Sequence, residues 1–236
     1  MPALLHKYHN RALLILHPAC AIHCRYCFRR EFDYKAHRRT TNDWQAVFDY
    51  LKQHPEIDEV ILSGGDPLLH EDKTLQFFLE HLTQIASLKR LRIHSRIPVV
   101  LPERITKELL AVFAMTNLEK IMVIHVNHPN EIADDVASAL NQLTQAGFSL
   151  FNQTTLLKGV NDNAMTLKQL SETLFGQKVI PYYLHALDKV KGAGHFAVSD
   201  KAAIGLHKEL KAQTSGYLVP KLVREIPHQN SKTWLH

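Results

Sequence analysis

Three cysteines, Cys20, Cys24 and Cys27, fall within eight positions of a 236-residue chain that has no others. Thiolates are soft ligands that suit iron–sulfur clusters and zinc. Three of them on one short loop can hold three irons of a cubane cluster and leave the fourth iron open to a small ligand. A closed structural site instead has four protein ligands. Structural zinc completed by His23 or a distant histidine is the alternative reading, but such sites usually pair two short two-ligand motifs, and no second pair is present. A disulfide framework would scatter its cysteines, so this clustering points to a reducing compartment and a bound metal. Arg25, Arg29, Arg30, Lys35, Arg38 and Arg39 crowd the same stretch. They read as an anion- or cofactor-binding rim, with nucleic acid as the weaker option.

A second chemical feature is Ser63-Gly64-Gly65-Asp66-Pro67. On turn chemistry alone it is a turn. At the end of a strand, its glycines would let the backbone approach a ligand closely.

The elements that must carry these loops alternate. Short apolar runs of strand type occupy Ala12–Leu16, Glu59–Ser63, Arg90–Ser95, Lys120–Val126, Ser149–Thr154 and Lys178–Leu184. Amphipathic stretches lie between them. Trp44, Val47, Phe48 and Leu51 make one helical stripe, and Leu75, Phe78, Leu79, Leu82 and Ile85 a second. Ile132, Val136, Leu140 and Leu143 make a third, closed by Gly147, while Leu167, Leu170 and Leu174 precede Gly176. Ser199 reads as the N-cap of the last helix. After the first unit the strand centres advance by about 30 residues, the size of a βα repeat. This predicts an α/β fold, a partial (β/α)6 barrel with right-handed crossovers. Nearly every strand ends in polar residues, and in a parallel barrel those C-terminal ends share one face, where active sites are built. One domain is expected over 1–236, with Tyr217–Ile226 running alongside the barrel and delivering a C-terminal tail (217–236).

Bulk composition sets outer bounds. A charge of +5 permits an acidic partner, but the basic residues are spread along the chain outside the cysteine region. No apolar run reaches the roughly 20 residues of a bilayer span, and no secretory leader is visible. A cytoplasmic protein is the expectation.

The pattern Cys-x-x-x-Cys-x-x-Cys after the first strand, followed one unit later by the Gly-Gly-Asp-Pro turn, resembles the radical S-adenosylmethionine superfamily. Within it the chain is similar to the lysine 2,3-aminomutase family, and most of all to the branch serving (R)-β-lysylation of elongation factor P. The similar stretches are His6–Arg11, Cys27–Arg30, Ser63–Pro67, His94–Pro98, Asn127–Glu131, Asn152-Gln153, Leu157–Asp162 and Tyr183–Phe196. The resemblance implies three cofactors: a [4Fe-4S] cluster, S-adenosylmethionine and pyridoxal 5′-phosphate. It implies that a radical cut from S-adenosylmethionine takes a hydrogen from the β-carbon of pyridoxal-bound L-lysine, whose amino nitrogen then migrates.

Roles follow residue by residue as the resemblance implies them. Cys20, Cys24 and Cys27 ligate the cluster. Ser63, Gly64, Gly65 and Asp66 meet the methionine end of S-adenosylmethionine, with His125 or Asn127 and Gln153 near its adenosine. Lys232 bonds the pyridoxal, although Pro227-His228-Gln229-Asn230 replaces the glycines that precede this lysine in the family. Lys7, Tyr8 and Arg11 clamp the phosphate. Arg29 pairs with the substrate carboxylate, and Asp188 and Glu225 hold its ε-ammonium. Glu225 stands where catabolic enzymes carry aspartate. The family also carries a longer segment ahead of this clamp, expected to cover the barrel or build an oligomer. The implied partners are L-lysine, a flavodoxin- or ferredoxin-type electron donor and a second copy of the chain, with no nucleic acid and no membrane. The readings that compete with EF-P modification are a catabolic lysine 2,3-aminomutase and a non-catalytic zinc-binding, nucleic-acid-binding module.

Overall fold

A computed structural model describes residues 3–27, 41–226, 229 and 231–236. The chain opens with a hairpin of β1 (Leu4–Tyr8) and β2 (Arg11–His17). It then alternates through α1 (Thr41–Gln53), β3 (Glu59–Gly64), α2 (Asp72–Thr83), β4 (Arg90–His94), a single turn α3 (Ile97–Val100), α4 (Lys107–Ala114) and β5 (Glu119–Ile124). After these come α5 (Asp134–Gln145), β6 (Phe148–Thr155), α6 (Ala164–Gly176), β7 (Val179–His185), α7 (Asp200–Gln213), β8 (Lys221–Arg224) and β9 (Thr233–Trp234). All the strands join one nine-stranded sheet in sequence order. From β2 to β8 every pairing is parallel, and each step crosses over a helix, giving six βα units. β1 and β9 pair antiparallel at the two edges.

The helices form where the stripes lie. Trp44, Val47, Phe48 and Leu51 of α1 are buried, as are Leu75, Phe78, Leu79 and Leu82 of α2. Trp44 meets Phe78 edge to face at 4.6 Å, so adjacent crossovers lock together through rings. Asp134 and Asp135 sit in the first turn of α5, where the helix dipole favours negative charge. Gly147 follows α5 at φ +83°, the left-handed conformation that stops a helix. Ser199 caps α7 by accepting from the Ala202 amide. β3 is buried along its whole length, as expected of a strand covered on both faces.

Several elements differ from the sequence expectation. The Tyr217–Ile226 segment does not merely run alongside the barrel. Its Lys221–Arg224 portion pairs with β7, because Leu222 packs into an apolar cluster with Leu167, Leu184, Ala203 and Leu210. Helix α4 was not anticipated. Thr106 caps it, and Leu109, Val112 and Phe113 bury it. Helix α6 runs through Gly176, and the positive φ of +60° falls on Lys178.

The sheet is staggered as well as curled. Register carries Arg11 across to Glu59, Arg90 and Glu119 on β3, β4 and β5. Further round, Thr155 is level with His185, and His185 with Val223. Such stagger accompanies strand tilt in barrels and brings the start of one edge toward the end of the other. Charges confirm the curl, since Arg11 of β2 and Arg92 of β4 both act on the Tyr183 phenol of β7.

Candidate active site

The cysteine loop is anchored at its root by the glycine turn. Gly65 N–H donates to His17 O at 2.6 Å, and Asp66 N–H donates to Ala19 O at 2.8 Å. Gly64 takes φ +120°, and a Cβ on Gly65 would lie 2.1 Å from the Ala19 carbonyl oxygen. Glycine is therefore required here so that two loops can touch backbone to backbone. The Asp66 carboxylate is buried, which raises its pKa. Opposing that shift, it accepts from Leu68 N, Ser95 Oγ, Arg96 N and Ile97 N at 2.7–3.2 Å. One carboxylate thus ties the end of β3 to the end of β4. Ser63, just before the turn, is buried too.

Beyond this anchor, Cys27 N–H donates to Cys24 O at 3.1 Å and folds the loop back. Cys20 is exposed, and Cys24 and Cys27 are half-buried. Among the described residues no three Cys, His, Asp or Glu side chains already converge as a metal-sized group, so the thiols share a loop rather than a point. Arg96 reaches this loop from the turn between β4 and α3. Its Nη1 donates to Cys24 Sγ at 2.9 Å and to Tyr26 Oη at 3.1 Å, and its Nη2 pairs with Glu131 at 2.7 Å. Burial opposes the guanidinium charge, but Tyr26, Cys24 and Glu131 outweigh it. Burial raises the Tyr26 phenol, which stays protonated.

A polar belt continues across the strand ends. Glu131 accepts from the Asn127 and His128 amides at 2.7 and 3.0 Å, and Asn127 Nδ2 donates to Tyr26 Oη. Thr155 N donates to Asn127 Oδ1, and Asn152 bonds both backbone groups of Val126. Loops after β2, β4, β5 and β6 are thereby held in one frame.

A second cluster stands where the staggered edges meet. Glu225, just past β8, accepts from Lys7 Nζ of β1 at 2.7 Å and from Lys232 Nζ at 2.9 Å. Burial would raise the Glu225 carboxyl, yet these two lysines hold it below its ordinary value. Lys232 also lies 5.5 Å from the Tyr183 ring centre, and Arg11 stacks 3.9 Å from the Tyr8 ring centre. Asp188 is raised by burial against the pull of Lys232. His185 is pushed down to about 3 by burial, with Lys232 and His125 adding to the shift. Its Nε2 is buried with no hydrogen-bond partner among the described residues.

The sequence-predicted residues therefore gather in two groups. Cys20, Cys24, Cys27, Gly64, Gly65 and Asp66 form the first, and Lys7, Tyr8, Arg11, Asp188, Glu225 and Lys232 the second. His125 lies 5.9 Å, ring to ring, from His94, and Gln153 is level with Tyr183 on the neighbouring strand. Arg29 lies outside the described residues. Tyr26, Glu131 and Tyr183 join the site without being candidates on sequence grounds. Tyr26 sits between Cys24 and Cys27, and that position is the signal the sequence offers for it.

The donor sets fit the implied cofactors. Three thiols on a loop with a cationic donor at one sulfur suit an iron–sulfur cluster bound through three cysteines. A lysine and a second lysine on one carboxylate, a stacked Arg–Tyr pair and an imidazole whose Nε2 has no hydrogen-bond partner among the described residues suit an aldehyde cofactor bearing a phosphate.

Comparison with known proteins agrees. The Radical SAM superfamily pattern matches residues 14–170. L-lysine 2,3-aminomutase of Escherichia coli (strain K12) is 52% identical over 233 residues, covering 99% of this chain and 68% of that protein. The Haemophilus influenzae protein of the same name is 51% identical over 233 residues, covering 99% and 69%. A radical SAM methyltransferase from Sphaerobacter thermophilus superposes with TM-score 0.63 at 14% identity, covering 96% of this chain and 69% of that one, a likeness of fold alone. By sequence pattern and by similarity over 99% of its residues, the chain belongs to the radical SAM superfamily and, within it, to the L-lysine 2,3-aminomutase family.

Proposed function

We propose that this isomerase converts L-lysine to β-lysine of R configuration for the modification of translation elongation factor P. The observation that carries the reading is the bridge Lys7–Glu225–Lys232, which puts a lysine able to bond an aldehyde against a carboxylate able to hold an ammonium group, with Asp188 within electrostatic reach of that lysine. The chain works with a [4Fe-4S] cluster, S-adenosylmethionine and pyridoxal phosphate, as its family membership establishes. When bound, the first two supply a radical that removes hydrogen, and the third supplies the conjugated ring that carries the migrating nitrogen.

In this reading Cys20, Cys24 and Cys27 hold the cluster. The Ser63–Asp66 turn, His125 and Gln153 line the place of S-adenosylmethionine. Lys232 bonds the pyridoxal, and Lys7, Tyr8 and Arg11 receive its phosphate. Arg29 takes the substrate carboxylate through its planar fork. Asp188 and Glu225 take the distal ammonium, and a bound cation would favour the ionised form that burial disfavours at Asp188. His185, neutral at physiological pH, can donate or accept without adding charge beside Lys232.

Glu225, one methylene longer than aspartate, and the non-glycine stretch before Lys232 support the EF-P role over a catabolic one. The stereochemical assignment rests on that longer arm. The proposed setting is the cytoplasm, with a flavodoxin- or ferredoxin-type donor, a homo-oligomer, and a single barrel domain ending in the cofactor-binding tail 217–236. Among the described residues no helix is long and apolar enough to cross a membrane.

Anaerobic reconstitution with iron and sulfide, then incubation with reductant, S-adenosylmethionine, pyridoxal phosphate and L-lysine, tests this. (R)-β-lysine in a chiral assay is the expected product, and the S isomer would overturn the EF-P assignment. A cluster that forms without yielding 5′-deoxyadenosine would overturn the radical chemistry. Lys232→Ala should lose the absorbance of protein-bound pyridoxal, and its persistence would displace Lys232 from that role.

A further inference from the structure

We propose that Arg96 is a positioning residue for the iron–sulfur cluster, fixing the Cys24 sulfur by a hydrogen bond and raising the potential at which the cluster takes its electron. This rests on reading Cys20, Cys24 and Cys27 as the cluster ligands.

The contact has a defined direction. Arginine carries donors only, so in the 2.9 Å contact between Arg96 Nη1 and Cys24 Sγ the sulfur accepts. A thiolate accepts better than a thiol, and the thiolate is the form that binds iron. The sulfur atom seen here therefore stands in for a cluster-ligating thiolate. The arginine is also held in place. Glu131 grips its other terminal nitrogen at 2.7 Å, Tyr26 Oη lies 3.1 Å from the shared one, and its backbone amide donates to Asp66 at 2.7 Å. Only 16% of the side chain is exposed, so solvent screens its charge far less than on the surface. An arginine pinned on three sides loses no further conformational freedom when the cluster forms.

Position gives the charge its consequence. Reduction adds an electron to a cluster that already bears negative charge. A cation and a hydrogen bond at one ligating sulfur stabilise the reduced form more than the oxidised one, and hydrogen bonds to sulfur and net charge are recognised levers on cluster potential. Glu131 offsets part of the charge while keeping the fork aimed at the loop. The same Asp66 that docks the glycine turn also positions Arg96, so cluster loop, glycine turn and tuning residue form one assembly.

The test is an EPR-monitored redox titration of the anaerobically reconstituted 236-residue chain, without S-adenosylmethionine, for wild type, Arg96→Gln and Arg96→Lys. At a fixed solution potential, the ratio of reduced to oxidised cluster in Arg96→Gln is expected to fall about tenfold. That corresponds to a midpoint about 59 mV lower for a one-electron couple. Arg96→Lys keeps the charge but not the fork, and its drop should be smaller. A residue that merely anchored the loop would lower iron content without moving the midpoint of the clusters that form. An unmoved midpoint in Arg96→Gln with iron and sulfide intact overturns the proposal. Should Arg96→Gln hold no iron, Arg96→Lys is read instead: a smaller fall supports the role, and an unmoved midpoint overturns it. Failure of the wild type itself to assemble a [4Fe-4S] cluster would overturn the ligand reading beneath it, a result distinct from an intact cluster with unmoved potentials.

Discussion

His185 shows how much one residue can be set by its surroundings. It ends β7, and its imidazole is pushed down from 6.5 to about 3 by burial first, then by Lys232 and His125. In the folded chain it binds no proton until pH is near 3, whereas in the unfolded chain it binds one near 6.5. Its contribution to stability is therefore fully present above about pH 6.5 and is lost as pH falls toward 3. The slope is about 1.4 kcal/mol per pH unit in that window. Urea unfolding at pH 7 and pH 5 should show the wild type losing about 2 kcal/mol more than His185→Gln. Equal losses would show that the imidazole is not held neutral. The residue type was visible from the sequence, since His185 closes an apolar run. What it faces was not, because Lys232 and His125 are brought to it by the curl of the sheet.

At the scale of elements, the glycine turn after β3 matters because it receives another backbone. A methyl at Gly65 would meet Ala19 O, C and N at 2.1, 2.6 and 2.8 Å, none of them a flexible side-chain end. Gly65→Ala should therefore cost roughly 2–4 kcal/mol and displace the root of the cysteine loop. Thermal unfolding, together with iron content after reconstitution, checks both effects. A variant of wild-type stability would mean the two loops do not touch. The sequence made this turn and the cysteine loop legible as neighbours one βα unit apart, and the stripes of α1, α2, α5 and α6 were legible from spacing alone. Other elements were hidden for physical reasons. β9 is only two residues long and exists through its pairing with Val223 and Arg224. β1 carries His6, Lys7 and Tyr8, whose polarity masks a strand stabilised mainly by β2. The hub of Tyr26, Arg96 and Glu131 joins residues 35 to 70 positions apart, a separation that no local pattern encodes.

For the whole molecule, the important feature is the seam between the two edges of the sheet. Lys7 of β1 and Glu225 after β8 are 218 positions apart in sequence and 2.7 Å apart in space. Among the described residues β1 pairs only with β2 and β9 only with β8, so side chains rather than a backbone ladder cross this seam. The ion-paired side chains are 24–36% exposed, and such pairs contribute only about 0–1 kcal/mol each. Pyridoxal phosphate contacting both edges would supply far more. At a hundredfold excess over its Kd it should stabilise the chain by about 2.7 kcal/mol, raising Tm by roughly 5–10 °C. Differential scanning calorimetry with and without the cofactor measures this, and an unchanged Tm would show that the cofactor does not bridge the edges. Because ions in solution weaken such contacts over a Debye length of about 8 Å at physiological strength, the seam also behaves as a salt-sensitive latch. Across the seam the edges are joined by the charges of Lys7, Glu225 and Lys232, contacts that added salt weakens while the backbone ladders on either side keep their strength.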